Sequence, residues 1–294
     1  MEKHLIPSLG NIHLADLTPL DIDQYYIFAL ESGRLDGKGG LSACSVAHEH
    51  RLFFEALQQA FEWELIRRNP AAAVRAPKVV RKEMTTLSEE QLARLLKAAQ
   101  GSRAYIAILL AATTGARRGE VLALHWDDLD LEAGIAVISR SLQLTETDIS
   151  YKEPKTRGSS RTITLPLFTI TALRKHRKEQ AREKLLLGYE YKNSDLVCAQ
   201  KDGTPINPGS LSKMFLAMVR RTGIPHVRFH DLRHTHATQL LRRGINPKVV
   251  SERLGHASVS VTLDIYSHVL PGMQQEAAKK TDKALSLAMA RLAA

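Results

Sequence analysis

The stretch from 71 to 84 constrains this chain most. It is basic and contains Pro77, and it lies between two regions that read as helical, so we read it as an interdomain linker. A linker there requires two separately packed cores. A length of 294 residues allows this, since domains usually run to about 100–200 residues. A hydrophobic content of 44% and a mean hydropathy of −0.19 supply enough apolar side chains for both cores. The expected division is a helical domain over 1–75, a linker over 76–84 and a second domain over 85–294.

Local signals fill in the elements. Thr18 followed by Pro19 marks a helix start, and Gly33 to Gly40 breaks that helix. Ser42 opens a long amphipathic stretch with Val46, Leu52, Phe53, Leu57, Ala60, Phe61 and Ile66, expected to end at Asn69-Pro70 because a residue before proline avoids the helical region. Beyond the linker, Ser88 with Gln91 is a capping-box pattern, and a second helix is expected over 103–113. β-Branched and alternating residues over 135–139 and 161–165 predict a small antiparallel sheet, with 152–160 in a turn region. Helices are expected over 169–187, 208–221, 231–243, 247–254 and 274–294. The second domain is therefore mainly α with a small antiparallel β-sheet, an α+β fold.

Charge narrows the function classes. Lys and Arg number 41 against 31 Asp and Glu, for a net charge of +10 and a pI near 9.6. The excess is clustered. Residues 67–82 carry Arg67, Arg68, Arg75, Lys78, Arg81 and Lys82 with no acid, and 151–182 and 228–253 are also enriched in Lys and Arg. A solvated face explains any one run, whereas three runs in separate elements are better explained by a surface that follows phosphates. Two cysteines, Cys44 and Cys198, exclude a disulfide scaffold and fit a reducing compartment. No apolar run reaches the length of a membrane span, and the opening MEKHLIPSLG lacks the apolar core expected of a signal peptide.

Two motifs carry possible chemistry. In Thr114-Gly115-Ala116-Arg117-Arg118-Gly119-Glu120, glycines around an arginine pair mark a turn that would present one guanidinium at a fixed place, and Glu120 is within reach of Arg117. In His230-Asp231-Leu232-Arg233, an imidazole and a forked cation share one helix face and suit phosphate chemistry. His230 and His234 are also spaced as a zinc pair. The metalloprotease pattern needs Glu after the first His, however, where this chain has Asp231, and no further ligand has obvious spacing. No metal or other cofactor is expected. Downstream stand Leu254-Gly255-His256, with a glycine suited to a helix C-terminus, and Tyr266, which alone would read as half-buried packing.

The segments TTGARRGEVLAL, KEPKTRGSSRTITLP, FHDLRHTHAT and LGHASVSVTLDIYSHV, in this order, resemble the tyrosine recombinase (phage integrase) family over about 85–275. PSLGNIHLADLTPLDIDQYY and IRRNPAAAVRAPK look like that family's core-binding domain and its exit. The resemblance implies a two-domain clamp on duplex DNA. It implies that Arg117 and Arg233 are the two catalytic arginines and that Lys155 is the hairpin lysine, with Lys152 the lesser alternative. His230 and His256 fill the histidine positions, Tyr266 is the nucleophile and Glu120 supports Arg117. Arg157 and Arg161 join the basic residues of 67–82 as expected DNA contacts. Many such integrases begin with a further arm-binding domain, whereas this sequence opens at what looks like the core-binding domain. Either upstream residues are missing from it or arm binding is.

The implied reaction is transesterification. Tyr266 attacks the scissile phosphorus, forms a 3′-phosphotyrosyl link and releases a 5′-hydroxyl. The arginines neutralise the transition state, His230 takes the tyrosine proton, His256 donates to the phosphate and Lys155 protonates the leaving oxygen. The resemblance further implies double-stranded DNA attachment sites as partners and a homotetramer on DNA. The 274–294 helix would dock on a neighbour through Ala277, Leu285, Leu287, Met289 and Leu292. A directionality factor or DNA-bending protein is a further expected partner, and the bacterial cytoplasm and nucleoid the expected location. Two rival readings are a type IB topoisomerase, which shares the chemistry without synapsis, and a DNA-binding regulator, which explains the charge but not the ordered Arg, Lys, His, Arg, His, Tyr set.

Overall fold

The computed structural model describes residues 2–80, 84–144, 149–152, 160–266 and 273–292. The chain divides into two compact units, Met1–Glu83 and Met84–Ala294.

The first unit is helical: α1 (Leu5–Leu9), α2 (Pro19–Ser32) and α3 (Ala43–Glu62), then a 3-10 turn at Pro70–Ala73. At the head of α2, Asp21 Oδ2 accepts from the Thr18 amide (2.9 Å) and Thr18 Oγ1 accepts from the Asp21 amide (3.3 Å), a reciprocal cap with Pro19 in the first turn. Ser42 caps α3. Ile22, Tyr25, Tyr26 and Ala29 of α2 pack against Val46 and Leu57 of α3. Tyr25 donates to Glu49 (2.7 Å), and the Tyr26 hydroxyl lies 2.8 Å from His50 Nδ1. The long helix ends at Glu62, earlier than expected, and Glu64 then adopts a left-handed φ of 60°. Asn69 is instead an anchor: its Nδ2 donates to the Phe54 carbonyl and its Oδ1 accepts from the Ala71 amide.

The second unit runs α4 (Glu89–Ala99), α5 (Tyr105–Thr114), α6 (Arg118–Leu122), β1 (Leu129–Asp130), β2 (Ile135–Ile138), β3 (Ser141–Leu144), β4 (Ile149–Lys152) and β5 (Arg161–Thr164). It continues with α7 (Leu167–Leu187), α8 (Pro208–Thr222), α9 (Asp231–Arg242), α10 (Pro247–Leu254), α11 (Val259–Tyr266) and α12 (Met273–Leu292). It is mainly helical with a small antiparallel sheet, as the sequence predicts. The sheet order is β1-β2-β5, with Ile135 opposite Thr164 and Ile138 opposite Arg161. β3 and β4 form a separate antiparallel pair that the sequence reading missed. Lys152, expected in a turn, ends β4 opposite Ser141. The short α6 and α11 were also missed. Helix α5 is buried on all sides from Ile106 to Ala112, so it forms the centre of the core rather than a surface helix. None of the described helices is long and apolar enough to cross a membrane.

Candidate active site

Helix α5 ends at Gly115, which has a left-handed φ of 69°. Only glycine suits this position, because a Cβ here would lie 2.6 Å from Leu254 Cδ2 and 2.9 Å from His236 Cδ2. The turn releases the Gly115 carbonyl from the helix, and Arg233 Nη1 donates to it (2.8 Å). Arg117 follows as the N-cap of α6. Its amide donates to Glu120 Oε2 (2.8 Å) and its Nη1 to Glu120 Oε1 (2.8 Å). The Arg117 side chain remains 47% exposed, so it has donors left for a ligand.

Arg233 lies on α9 and is 3% exposed. Its Nη2 is buried without a hydrogen-bond partner among the described residues. Burial, with the neighbouring Arg117 charge, lowers its pKa to about 10, still high enough to keep it cationic at neutral pH. A desolvated cation with an unmatched donor is suited to accepting an anion.

Helix α10 ends at Gly255, also left-handed (φ 68°), and the turn presents His256. His256 Nδ1 lies 2.8 Å from Thr262 Oγ1. Burial and the charges of Arg233, Arg117 and Arg161 push this imidazole down to about 4. Arg117 and Arg161 share Glu120, Arg161 also bonds the Arg253 carbonyl just before the His256 turn, and Arg233 bonds the Gly115 carbonyl just before Arg117, so these bonds gather the four residues.

Tyr266 closes α11. It is 1% exposed and packs among Ala237, Leu241, Val250 and Leu254. Burial raises its hydroxyl to about 12, against the pull of Arg233. That hydroxyl lies 2.8 Å from Nδ1 of His234, and a neutral imidazole protonated on Nε2 accepts from it. The partner of the hydroxyl in this structure is thus His234, not the His230 to which the resemblance gave the tyrosine proton. His230, at the N-terminus of α9, packs edge-on against the His234 ring with centroids 5.1 Å apart, and the histidine bonded to Tyr266 is His234. Burial first, then His230, lower His234 to about 4. Burial and Arg233 lower His230 as well. Sequence reasoning considered His234 only as a zinc partner. No local pattern marks it, because its partner Tyr266 lies 32 positions further along the chain. Among the described residues no three His, Cys, Asp or Glu side chains are grouped to hold a metal ion.

Arg161, expected as a DNA contact, faces inward. Its side chain is 7% exposed and bonds Glu120 and the Arg253 carbonyl. Arg67, Arg68, Arg75 and Lys78 are exposed. Arg81, Lys82, Lys155 and Arg157 lie outside the described residues, as does the Lys152 side chain.

Comparison with known proteins matches residues 85–273 to the phage integrase family. A tyrosine recombinase XerC-like protein of Caldanaerobacter subterraneus is 38% identical over 207 residues, covering 66% of this chain and 53% of that protein. The chain thus spans about half the length of that relative. The ICEBs1 integrase of Bacillus subtilis is 28% identical over 97% of this chain and 76% of its own length. The Tn1549 transposon integrase, solved with transposon right end DNA, shares the fold with a TM-score of 0.75, at 23% identity over 94% of this chain and 88% of that one. A lambda integrase tetramer bound to a Holliday junction aligns with a TM-score of 0.64, at 21% identity over 88% of this chain and 68% of that one. With the family match spanning well over half of its residues, this chain belongs to the phage integrase family.

Proposed function

We propose that this chain is a site-specific DNA recombinase that cleaves and rejoins DNA through a 3′-phosphotyrosyl intermediate and so integrates or excises a mobile element. The observation that carries this reading is Tyr266. Its hydroxyl is 2.8 Å from an imidazole acceptor, in a site where Arg233 keeps a buried donor unmatched.

In the free protein the hydroxyl near 12 and the imidazole near 4 make complete proton transfer strongly unfavourable. A bound phosphate alters both terms. Its negative charge offsets the arginines that add to burial in depressing the histidines, and Arg233 stabilises charge on the attacking oxygen. The proton therefore moves to His234 as the tyrosine oxygen bonds phosphorus, rather than before it. The bond to the 5′-oxygen breaks in the same displacement. Lys155 supplies the proton that makes the 5′-hydroxyl, and reversal by a partner strand's 5′-hydroxyl rejoins the DNA. Arg117 and Arg233 bind the non-bridging oxygens, and His256 donates to one of them through Nε2 when Thr262 donates to its Nδ1.

By analogy with the lambda integrase assembly, the active form is a tetramer on two DNA sites. Exposed Leu285 and Met289 of α12 are available for contact with a neighbour. The side chains of Ala277, Leu287 and Leu292 lie outside the described residues. Exposed Arg67, Arg68, Arg75 and Lys78 contact the DNA backbone, residues 1–75 serve as the core-binding domain, and a directionality or DNA-bending factor sets the outcome. The bacterial nucleoid is the location this reading implies.

The direct test is incubation with nicked duplexes carrying the ends of the element that encodes the chain. A denaturant-resistant protein–DNA adduct with a free 5′-hydroxyl is expected. Binding without adduct would favour a non-catalytic regulator, and relaxation of supercoiled DNA lacking those ends would favour a topoisomerase.

A further inference from the structure

Arg161 is the first residue of β5, six residues after Lys155 in the chain. Each of its guanidinium nitrogens is engaged inside the protein. Nη1 and Nη2 donate to Glu120 Oε1 (3.2 Å) and Oε2 (2.7 Å), a forked pair, and Nε donates to the Arg253 carbonyl (2.7 Å). The side chains of Arg161 and Glu120 are 7% and 10% exposed.

The Glu120 carboxylate is shared, by two guanidinium bonds from Arg161 and by one guanidinium bond and the backbone amide of Arg117. Each of its oxygens accepts one bond from Arg117 and one from Arg161. Two guanidinium groups around one carboxylate leave the cluster with one net positive charge, so Arg117 is only partly neutralised. With Arg161 absent, the carboxylate would neutralise Arg117 alone and be free to draw it away from the site. On its other side Arg161 meets the turn that presents His256. Its Nε bond fixes the carbonyl two residues before Gly255, and a Cβ at Gly255 would stand 2.9 Å from its Nη1 and 3.1 Å from its Cδ. One buried side chain thus joins the Arg117 turn, the start of β5 and the His256 turn.

We propose that Arg161 is a positioning residue for strand cleavage, holding Arg117 through Glu120 and His256 through the 253–255 backbone, without touching DNA. The inference rests on the recombinase reading above. Arg161→Gln removes the fork and the charge, whereas Arg161→Lys keeps a charge that cannot bond both carboxylate oxygens in a fixed plane.

The experiment measures three quantities on the full chain and a nicked site. These are the dissociation constant as a function of salt, the single-turnover adduct rate at saturating protein, and the melting temperature. Arg161→Gln should slow adduct formation by about 10- to 100-fold, the scale on which supporting bonds act in preorganised sites. Affinity and salt slope should remain those of the wild type. Arg161→Lys should recover part of the rate. The Glu120→Gln, Arg161→Gln double variant should be no slower than the worse single variant, because both act through one path. A salt slope reduced by about one would show a phosphate contact and overturn the proposal. So would an unchanged rate, or losses that multiply in the double variant. If Arg161→Gln does not fold, the Lys variant decides by the same readings. A wild-type chain that forms no adduct overturns the recombinase reading, and this inference with it. A wild-type adduct with an indifferent Arg161 overturns this inference alone.

Discussion

Replacing Tyr266 by Phe removes one oxygen and leaves the ring among Ala237, Leu241, Val250 and Leu254. His234 Nδ1 loses its partner, so unfolding free energy should fall by only about 0.5–1.5 kcal/mol. DNA affinity should persist and the covalent adduct should vanish. Mass spectrometry of the wild-type adduct should find the nucleotide on Tyr266, and any other residue would refute the assignment. His234→Ala removes the group that accepts the hydroxyl. An adduct rate reduced by about 10²–10⁴-fold at unchanged affinity is expected from loss of general base help. A rate within twofold of wild type would return the role to another group.

The helix ends place the candidate catalytic side chains, and Gly115 is where that placement is most demanding. Gly115→Ala would hold a left-handed conformation that costs an L-residue about 1–2 kcal/mol. It would also press a methyl group against Leu254 and His236, with overpacking of about 1–3 kcal/mol. Any relief moves the carbonyl that holds Arg233. Denaturant titration should show the loss of stability, and the adduct rate should fall further than the unfolded fraction explains. Wild-type stability with wild-type rate would show that the turn tolerates a Cβ.

Across the whole molecule, protonation links the site to the fold. His236 is buried, Nδ1 donates to the Ala112 carbonyl (3.0 Å), and burial first, then Arg253, lower its pKa to about 4. His234 and His256 are lowered similarly. These rings are neutral in the native chain, whereas in the unfolded chain they take up protons near their ordinary 6.5. The unfolded state therefore binds more protons between about 6.5 and 4. Stability should be complete above that window and decline as pH falls through it. Urea titrations across that range should show this, and His236→Asn, which keeps a donor near Ala112, should flatten the dependence. Binding to DNA should weaken steeply with salt. If Arg67, Arg68, Arg75 and Lys78 each meet a phosphate, changing all four to Gln should reduce the slope of log Kd against log salt by about 3–4. An unaltered slope would locate the DNA contacts elsewhere.

What could be read from the sequence is what neighbouring residues decide among themselves. Thr18 with Asp21, and Ser88 with Gln91, cap helices because donor and acceptor lie three residues apart. Gly115 and Gly255 end helices because few other residues accept a positive φ. The order of Arg117, His230, Arg233, His256 and Tyr266 was equally legible as a motif. What the sequence could not decide depends on contacts between distant segments. His234 meets Tyr266 only because α9 and α11 both pack on α10, which brings together residues 32 positions apart. Arg161 looks like any arginine in a basic run until β5 brings it against Glu120, 41 positions away, and Arg253, 92 positions away. Burial converts that cation from a surface charge into an internal tie, because a desolvated guanidinium must find its partners within the protein.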